Sequence, residues 1–453
     1  MTTPPFWPRL GHHTSDLLRL AWPVMLSRAG ILIMAFCDIV MLGRYGEGAV
    51  GASNLGLSIF VPVLVLVIGL CSGVVPVVSH AYGAGNWAEC GRAWRRALVW
   101  GAVLSTFGTW VVWQGEVILR LVVTSDLAAA GGEVSQALAL GLPAQVLFAV
   151  CAFYLESTRR PRFAMVAMLV ANLVNLGLNW VFIFGNLGMP EMGAVGAAIA
   201  STLARFVAFG LMIWVILAQT RPLEAGVRGP WETFWGPGGW RAGWPMRKLG
   251  LSAGLSNGFE TIGFASMSLM AGTISAQALV AYAISHNMVS TIFMVGLGLA
   301  IATGVRVGIE QGKGNHAEAA FAGWTGLLTA FLIMGSLGLV IFAARHEVAW
   351  IYTDDAALAA RAAALFVLAA FVFLPDTAQI VMGQAVRALG DAWIPILCYI
   401  AAFILLMIPA GWLMITVYGF DERALVAAII VSCLVATVTL SWRFRVLTRR
   451  AGP

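Results

Sequence analysis

Charge is what this sequence has least of. Asp, Glu, Lys and Arg make up 11% of its 453 residues, where an ordinary water-soluble globule carries about a quarter. Hydrophobic residues fill 60% of the chain and mean hydropathy is +0.87, so the sequence reads as an integral membrane protein. Reactive constellations are missing too. Six cysteines (Cys37, Cys71, Cys90, Cys151, Cys398, Cys433) are scattered, with no CxxC pair and no histidine at ligand spacing, which speaks against zinc and against a disulfide framework. The six histidines form no HxxxH or HExxH, and GxxxxGK does not occur. No enzyme activity and no cofactor is therefore expected, and Gly83-Ala84-Gly85 reads as a loop at a helix end, not a phosphate cradle. The first twenty residues place prolines and histidines where a signal peptide has a basic tip running into an apolar core, so no cleavage is expected.

What fills the chain instead is apolar runs of about 20 residues, the length a helix needs to cross a bilayer. Twelve recur, near 15–43, 50–82, 93–119, 132–157, 163–185, 194–218, 247–273, 277–310, 319–343, 359–388, 393–416 and 423–447. The pI near 9.2 is explained by where the basic residues fall. Alternating the loops between two sides puts 18 of the 27 Lys and Arg on the side that holds both termini and 5 on the other, with Arg19, Arg28, Arg205 and Arg306 inside spans. By the positive-inside rule both termini are cytoplasmic, and the excess charge marks topology, not a nucleic-acid partner.

The chain also repeats itself. GAGNWAE at 83–89 returns as GKGNHAE at 312–318, and a gapless shift of 229 residues aligns 17–89 with 246–318, sixteen of the 73 pairs being identical. The shift superposes the first span on the seventh and the second on the eighth. The unit is therefore six helices, and an even number leaves both copies in one orientation. The expected fold is all-α, twelve transmembrane helices in two pseudo-symmetric six-helix lobes, residues 1–218 and 247–453. The Pro-, Gly- and Trp-rich stretch 219–246 between them reads as a cytoplasmic linker. Two such lobes around a cleft are the architecture of alternating-access transporters.

Three acids interrupt the apolar spans. A carboxylate near the bilayer centre costs about 2.5–3.5 kcal/mol on insertion scales, so each is a functional candidate. Asp38 lies in AGILIMAFCDIVMLG; Glu260 lies in LSAGLSNGFETIGFASMS among small and polar residues; Asp376 follows Pro375 in FVLAAFVFLPDTAQIVMG. That proline removes a backbone donor and frees a carbonyl near the carboxylate, an arrangement suited to a proton or a small cation. The structural alternative pairs each acid with an intramembrane arginine such as Arg28, Arg205 or Arg306. A second polar cluster sits in ANLVNLGLNWVFIFG, where Asn172, Asn175 and Asn179 follow helical spacing, with Ser201 and Thr202 on the next span. Ion coordination and interhelical packing glue are both open for it. In the repeat register Asp38 faces Met267 and Glu260 faces Ile31, so these acids sit where the copies have diverged.

These stretches resemble the multidrug and toxic compound extrusion family, bacterial NorM-type branch. LAWPVMLSRAGILIMAFCDIVMLGRYG is similar to the family's first helix with its single acid, and VPVVSHAYGAGN to the end of its second. LNWVFIFGNLGMPEMGAVGAAIAST, GFETIGF, FLPDTAQIVMGQAVRALGD and TGVRVGIEQGKGN match further segments. The resemblance implies a monomeric inner-membrane antiporter that exports organic, mainly cationic amphiphilic compounds in exchange for Na+ or H+. It places ion or proton coupling on Asp38, Glu260 and Asp376, with Na+ possible at the last two. Some relatives bind a cation with residues matching Asn175, Asn179 and Ser201. Asn179 stands where those relatives have an acid, which leaves H+ at Asp38 open. Transport of organic acids or of a lipid-linked glycan on the same fold, and a receptor or scaffold that transports nothing, are the competing readings.

Overall fold

The computed structural model describes residues 6–218, 227 and 239–450, so most of the expected linker, 219–246, lies outside the described residues. Twelve long helices account for the twelve apolar runs. The first six are α1 (Phe6–Tyr45), α2 (Glu47–Gly83, with a turn after Cys71), α3 (Trp87–Trp113), α4 (Ser125–Ser157), α5 (Arg162–Phe184) and α6 (Gly193–Leu217). The second six are α7 (Trp244–Ile274), α8 (Ala276–Gly312), α9 (His316–Ala343), α10 (Ala356–Ala388), α11 (Trp393–Val417) and α12 (Arg423–Arg450). Ten are long and apolar enough to cross a membrane by composition alone. The other two are α3, which opens with Arg92, Arg95 and Arg96, and α7, which carries Ser252, Ser256, Asn257 and Glu260. Together they form a twelve-helix membrane fold. Helices are the element that satisfies every backbone N–H and C=O within one segment, which lipid demands.

The repeated turn is a helix stop followed by a helix start. Gly85 and Gly314 take left-handed φ of 70° and 74°, conformations that cost glycine nothing. Asn86 and Asn315 then cap α3 and α9, accepting from the backbone N–H of Glu89 (3.1 Å) and Glu318 (3.4 Å).

By contact the chain divides into two compact units, Leu26–Gly254, and Met1–Met25 with Leu255–Pro453. Each is organised around its fourth helix. In the first unit α4, the most deeply buried span, packs against α2, α3 and α6; in the second α10 packs against α8, α9 and α12. The unit boundaries, Met25/Leu26 and Gly254/Leu255, occupy the same place in the repeat, 229 residues apart. The opening stretch of α1 is therefore built into the unit of the second repeat, where Leu17, Leu20 and Ala21 are buried with Leu299, Ala300 and Ile380. Gly298 makes the approach possible, since a Cβ there would lie 2.5 Å from Met25 Cγ. The opening stretch of α7 is correspondingly built into the first unit, and a Cβ on Gly73 would sit 2.0 Å from the Met246 carbonyl oxygen. Small residues of this kind let membrane helices meet backbone to backbone.

Polar contacts fasten the α1 stretch. Arg306 donates to the His13 carbonyl and to His13 Nδ1, the latter at 2.7 Å. Arginine only donates, so Nδ1 accepts, and Nε2–H is left to donate to Glu318 Oε2 at 2.7 Å. Arg9 completes the cluster at 3.0 Å from Glu318 Oε1.

Gly73→Ala is expected to lower the detergent-solubilised melting temperature, because overpacking against backbone costs about 1–3 kcal/mol. Gly43, with nothing within 4 Å of a new Cβ, is the control: Gly43→Ala leaves the melting temperature unchanged or raises it, by at most about 1 kcal/mol of stability. Equal melting of the two variants would contradict the close approach.

Candidate functional site

The polar residues inside the first unit converge on Asp38. Asp38 lies on α1, Asn175 and Asn179 lie one turn apart on α5, and Ser201 lies on α6. Asn175 Nδ2 and Asn179 Nδ2 donate to Asp38 Oδ1 at 3.1 and 2.6 Å, and the Ser201 hydroxyl donates to Oδ2 at 2.7 Å. Asn175 Nδ2 also reaches Ser201 Oγ at 3.1 Å, and Asn179 Nδ2 reaches Asn175 Oδ1 at 3.2 Å. The two asparagines are fully buried and Ser201 nearly so. Asn179 Oδ1 is buried without a partner, so the cluster holds one carboxylate and one unused amide oxygen. Asn172 belongs elsewhere. It donates to the backbone oxygens of Gly30 (3.0 Å) and Met168 (2.8 Å), a packing bond between α5 and α1. Thr202 likewise donates to the Ala137 carbonyl on α4 at 2.9 Å.

The second unit brings Glu260 and Asp376 together. Glu260 projects from α7 and Asp376 from α10, and both are over nine-tenths buried. Gln379, one turn beyond Asp376, lies between them: Nε2 donates to Glu260 Oε1 at 2.7 Å and to Asp376 Oδ1 at 3.5 Å. The Cys433 thiol of α12 is 3.7 Å from Asp376 Oδ1. Near the proline, Thr437 of α12 donates to the Pro375 carbonyl at 2.9 Å. Arg387, two turns past Gln379, lies beside the Tyr399 hydroxyl, with its Nε and Nη1 unpartnered.

The arginines weighed as structural partners have other contacts, though Arg205 also lies close enough to Asp38 for the two charges to interact. Arg28 Nη2 meets Glu156 Oε1 at 3.1 Å and Oε2 at 3.3 Å in a fully buried pair. Arg306 holds His13, and Arg205 stacks on the Phe60 ring at 4.7 Å. Among the described residues the bonds to Asp38, Glu260 and Asp376 come from neutral donors alone. Sequence reasoning did not single out Glu156, Gln379 or Cys433. Glu156 stood at the very end of an expected span. Gln379 was signalled by its i+3 spacing from Asp376, but an uncharged residue in a helix draws no attention on a hydropathy scale. Cys433 was placed only as an isolated cysteine.

Comparison with known proteins agrees with this architecture. The sequence model of the MatE family matches residues 23–181 and 253–413, one match in each half. A probable multidrug resistance protein NorM of Caulobacter vibrioides is 36% identical over 440 residues, covering 96% of this chain and 92% of that protein. The fold is similar to that of the eukaryotic MATE transporter AtDTX14 (TM-score 0.86, 17% identity, 98% of this chain and 100% of that one). It is also similar to a MOP superfamily transporter from Pyrococcus furiosus, described as having a binding pocket of reverse polarity (TM-score 0.87, 18% identity, all of both chains).

The buried acids divide by partner, and stability separates them. Glu156→Gln leaves Arg28 as an uncompensated buried charge and is expected to cost about 3–5 kcal/mol, whereas the double variant Arg28→Met with Glu156→Leu recovers most of it. Asp38→Asn should melt within a few degrees of wild type. Thermal denaturation of the purified variants checks all three, and equal losses for Glu156→Gln and Asp38→Asn would erase the distinction.

Proposed function

Because the chain belongs to the MatE family, we propose that it is a multidrug exporter of the bacterial inner membrane. It works as a monomer with both termini cytoplasmic, and expels organic, mainly cationic amphiphilic compounds in exchange for Na+ or H+. The observation that carries this reading is that the part-buried Asp38 of the first unit and the buried Glu260 and Asp376 of the second are hydrogen-bonded by neutral donors alone, while the buried Glu156 has its own arginine.

A carboxylate bonded to amides and hydroxyls is held in place without being neutralised. With no arginine bonded to it, such a carboxylate can take a proton, an alkali cation or the cationic part of a cargo molecule as a partner from outside, in competition with the nearby charges of Arg205 at Asp38 and Arg387 at Glu260. One carboxylate cannot serve two such partners at full strength. Occupancy by one therefore favours release of the other, which is the thermodynamic content of antiport.

The two sites suit different ions. Glu260 and Asp376 present two negative groups around one amide, a set of hard oxygen ligands that fits Na+. Asp38 already accepts three hydrogen bonds through its two oxygens, which fits loss and gain of a proton on the carboxyl group. Asn175, Asn179 and Ser201 then act as its positioning residues. Two six-helix halves joined by a linker provide the means to open alternately to either side. The basic residues concentrated in the loops of one side support cytoplasmic termini, and the name of the Caulobacter relative supports drug-like cargo.

Reconstituted vesicles loaded with ethidium and given separate Na+ and H+ gradients test the proposal. Wild type moves ethidium against its gradient under at least one of them. Glu260→Gln and Asp376→Asn reduce Na+-driven movement at least tenfold, about 1.4 kcal/mol of coupling, and Asp38→Asn does the same to H+-driven movement. Wild-type rates in all three folded variants would sink the carboxylate mechanism.

A further inference from the structure

Among the described residues, Gln379 is the uncharged side chain that hydrogen-bonds to both acids of the second unit. It is wholly buried, and its Nε2 faces Glu260 Oε1 at 2.7 Å and Asp376 Oδ1 at 3.5 Å. Its other polar atom, Oε1, is buried and has no hydrogen-bond partner. The two carboxylates dictate this orientation, because turning the amide around would aim a third oxygen at two acceptors. The NH2 group, the positive end of the amide dipole, thus occupies the place between the acids that a cation would take. The oxygen is left over.

A buried polar atom without a partner calls for a reason. The last torsion of glutamine joins an sp3 to an sp2 carbon and is broad and nearly two-fold, so a half-turn exchanges NH2 for C=O with little movement of neighbouring atoms. We infer that Gln379 is an alkali-cation ligand that swivels. With the site empty its NH2 stands between Glu260 and Asp376, and when Na+ enters, the amide turns and Oε1 joins the carboxylates around the ion. This rests on the proposal that these two acids bind the coupling cation, and adds the residue that selects which cation. A proton needs only one carboxylate oxygen. Na+ needs several hard oxygen ligands, and the amide oxygen supplies one that is otherwise idle. Gln379 therefore sets preference for Na+ over H+ at this site, and its NH2 keeps the two acids in place after the ion has left.

The test uses full-length protein in detergent and in vesicles, with NaCl replaced by choline chloride as the reference. Gln379→Met keeps length and shape but removes both amide atoms. It is expected to melt like wild type in choline, to bind Na+ at least tenfold more weakly by Na+-dependent thermal stabilisation, and to keep H+-driven ethidium movement. Gln379→Glu, which retains an oxygen at the same reach, is expected to keep the Na+ response, and it stands in if Gln379→Met fails to fold. A folded Gln379→Met with wild-type Na+ affinity overturns the inference. So does one that loses Na+ and H+ responses together, a folded Gln379→Glu without a Na+ response, or a wild type driven by H+ alone. Glu260→Gln separates this from the underlying reading. If it abolishes the Na+ response while Gln379→Met does not, the acids bind the cation and Gln379 takes no part; if it changes nothing, the cation site itself is misassigned.

Discussion

A carboxylate removed from water must be answered by something, and how each buried acid is answered organises this protein. Two kinds of answer occur. Glu156 and Glu422 meet fixed cations, Arg28 in one case and Arg361 in the other, and these pairs tie distant parts of the chain together. Asp38, Glu260 and Asp376 meet amides, a hydroxyl and a thiol. The first kind is closed and stays as it is. The second can take up a positive partner and give it back. Both kinds occur in each unit, so a lobe carries its exchangeable acids on a frame that its permanent ion pairs help to hold.

Much of this was legible in sequence, and the limits are physical. Hydropathy finds α1, α2, α4 through α6 and α8 through α12 because each is apolar over a membrane-spanning length, whether it faces lipid or, like α4, mostly other helices. α3 and α7 are diluted by arginines and by serine and glutamate, and the repeat register was the surer guide to α7. The three acids were legible because charge inside a span is costly. Asn175 and Asn179 were legible as a cluster, but Asn172 shares their spacing and faces Gly30 instead. Helical periodicity groups residues by face without saying which neighbour a face will meet. Gln379 was passed over for the same reason, since its importance comes from Glu260, 119 residues away on another helix.

The repeat shows what duplication preserved and what it released. The asparagine cap and left-handed glycine of the repeated turn survive in both copies with nearly the same geometry. The glutamate of each turn has parted ways: Glu89 pairs with Arg92 and Arg96 of its own helix, whereas Glu318 pairs with Arg9 and His13 of α1. Backbone geometry at a helix start admits few solutions. Side chains beyond the cap are free to find new partners.

The exchange of opening stretches between the repeats has a consequence for how the chain is made. His13 leaves the ribosome well before Arg306, which holds it and follows 293 residues later. At synthesis rates of about 5–20 residues per second, the start of α1 waits for some 15–60 seconds before its packing surface exists. Leu17, Leu20 and Ala21 must spend that interval in lipid or against temporary neighbours, and the first six helices cannot lock into their final form until much of the second six has been inserted. A gene truncated after the first lobe would encode a bundle whose first helix has lost the surface that buries its opening turns.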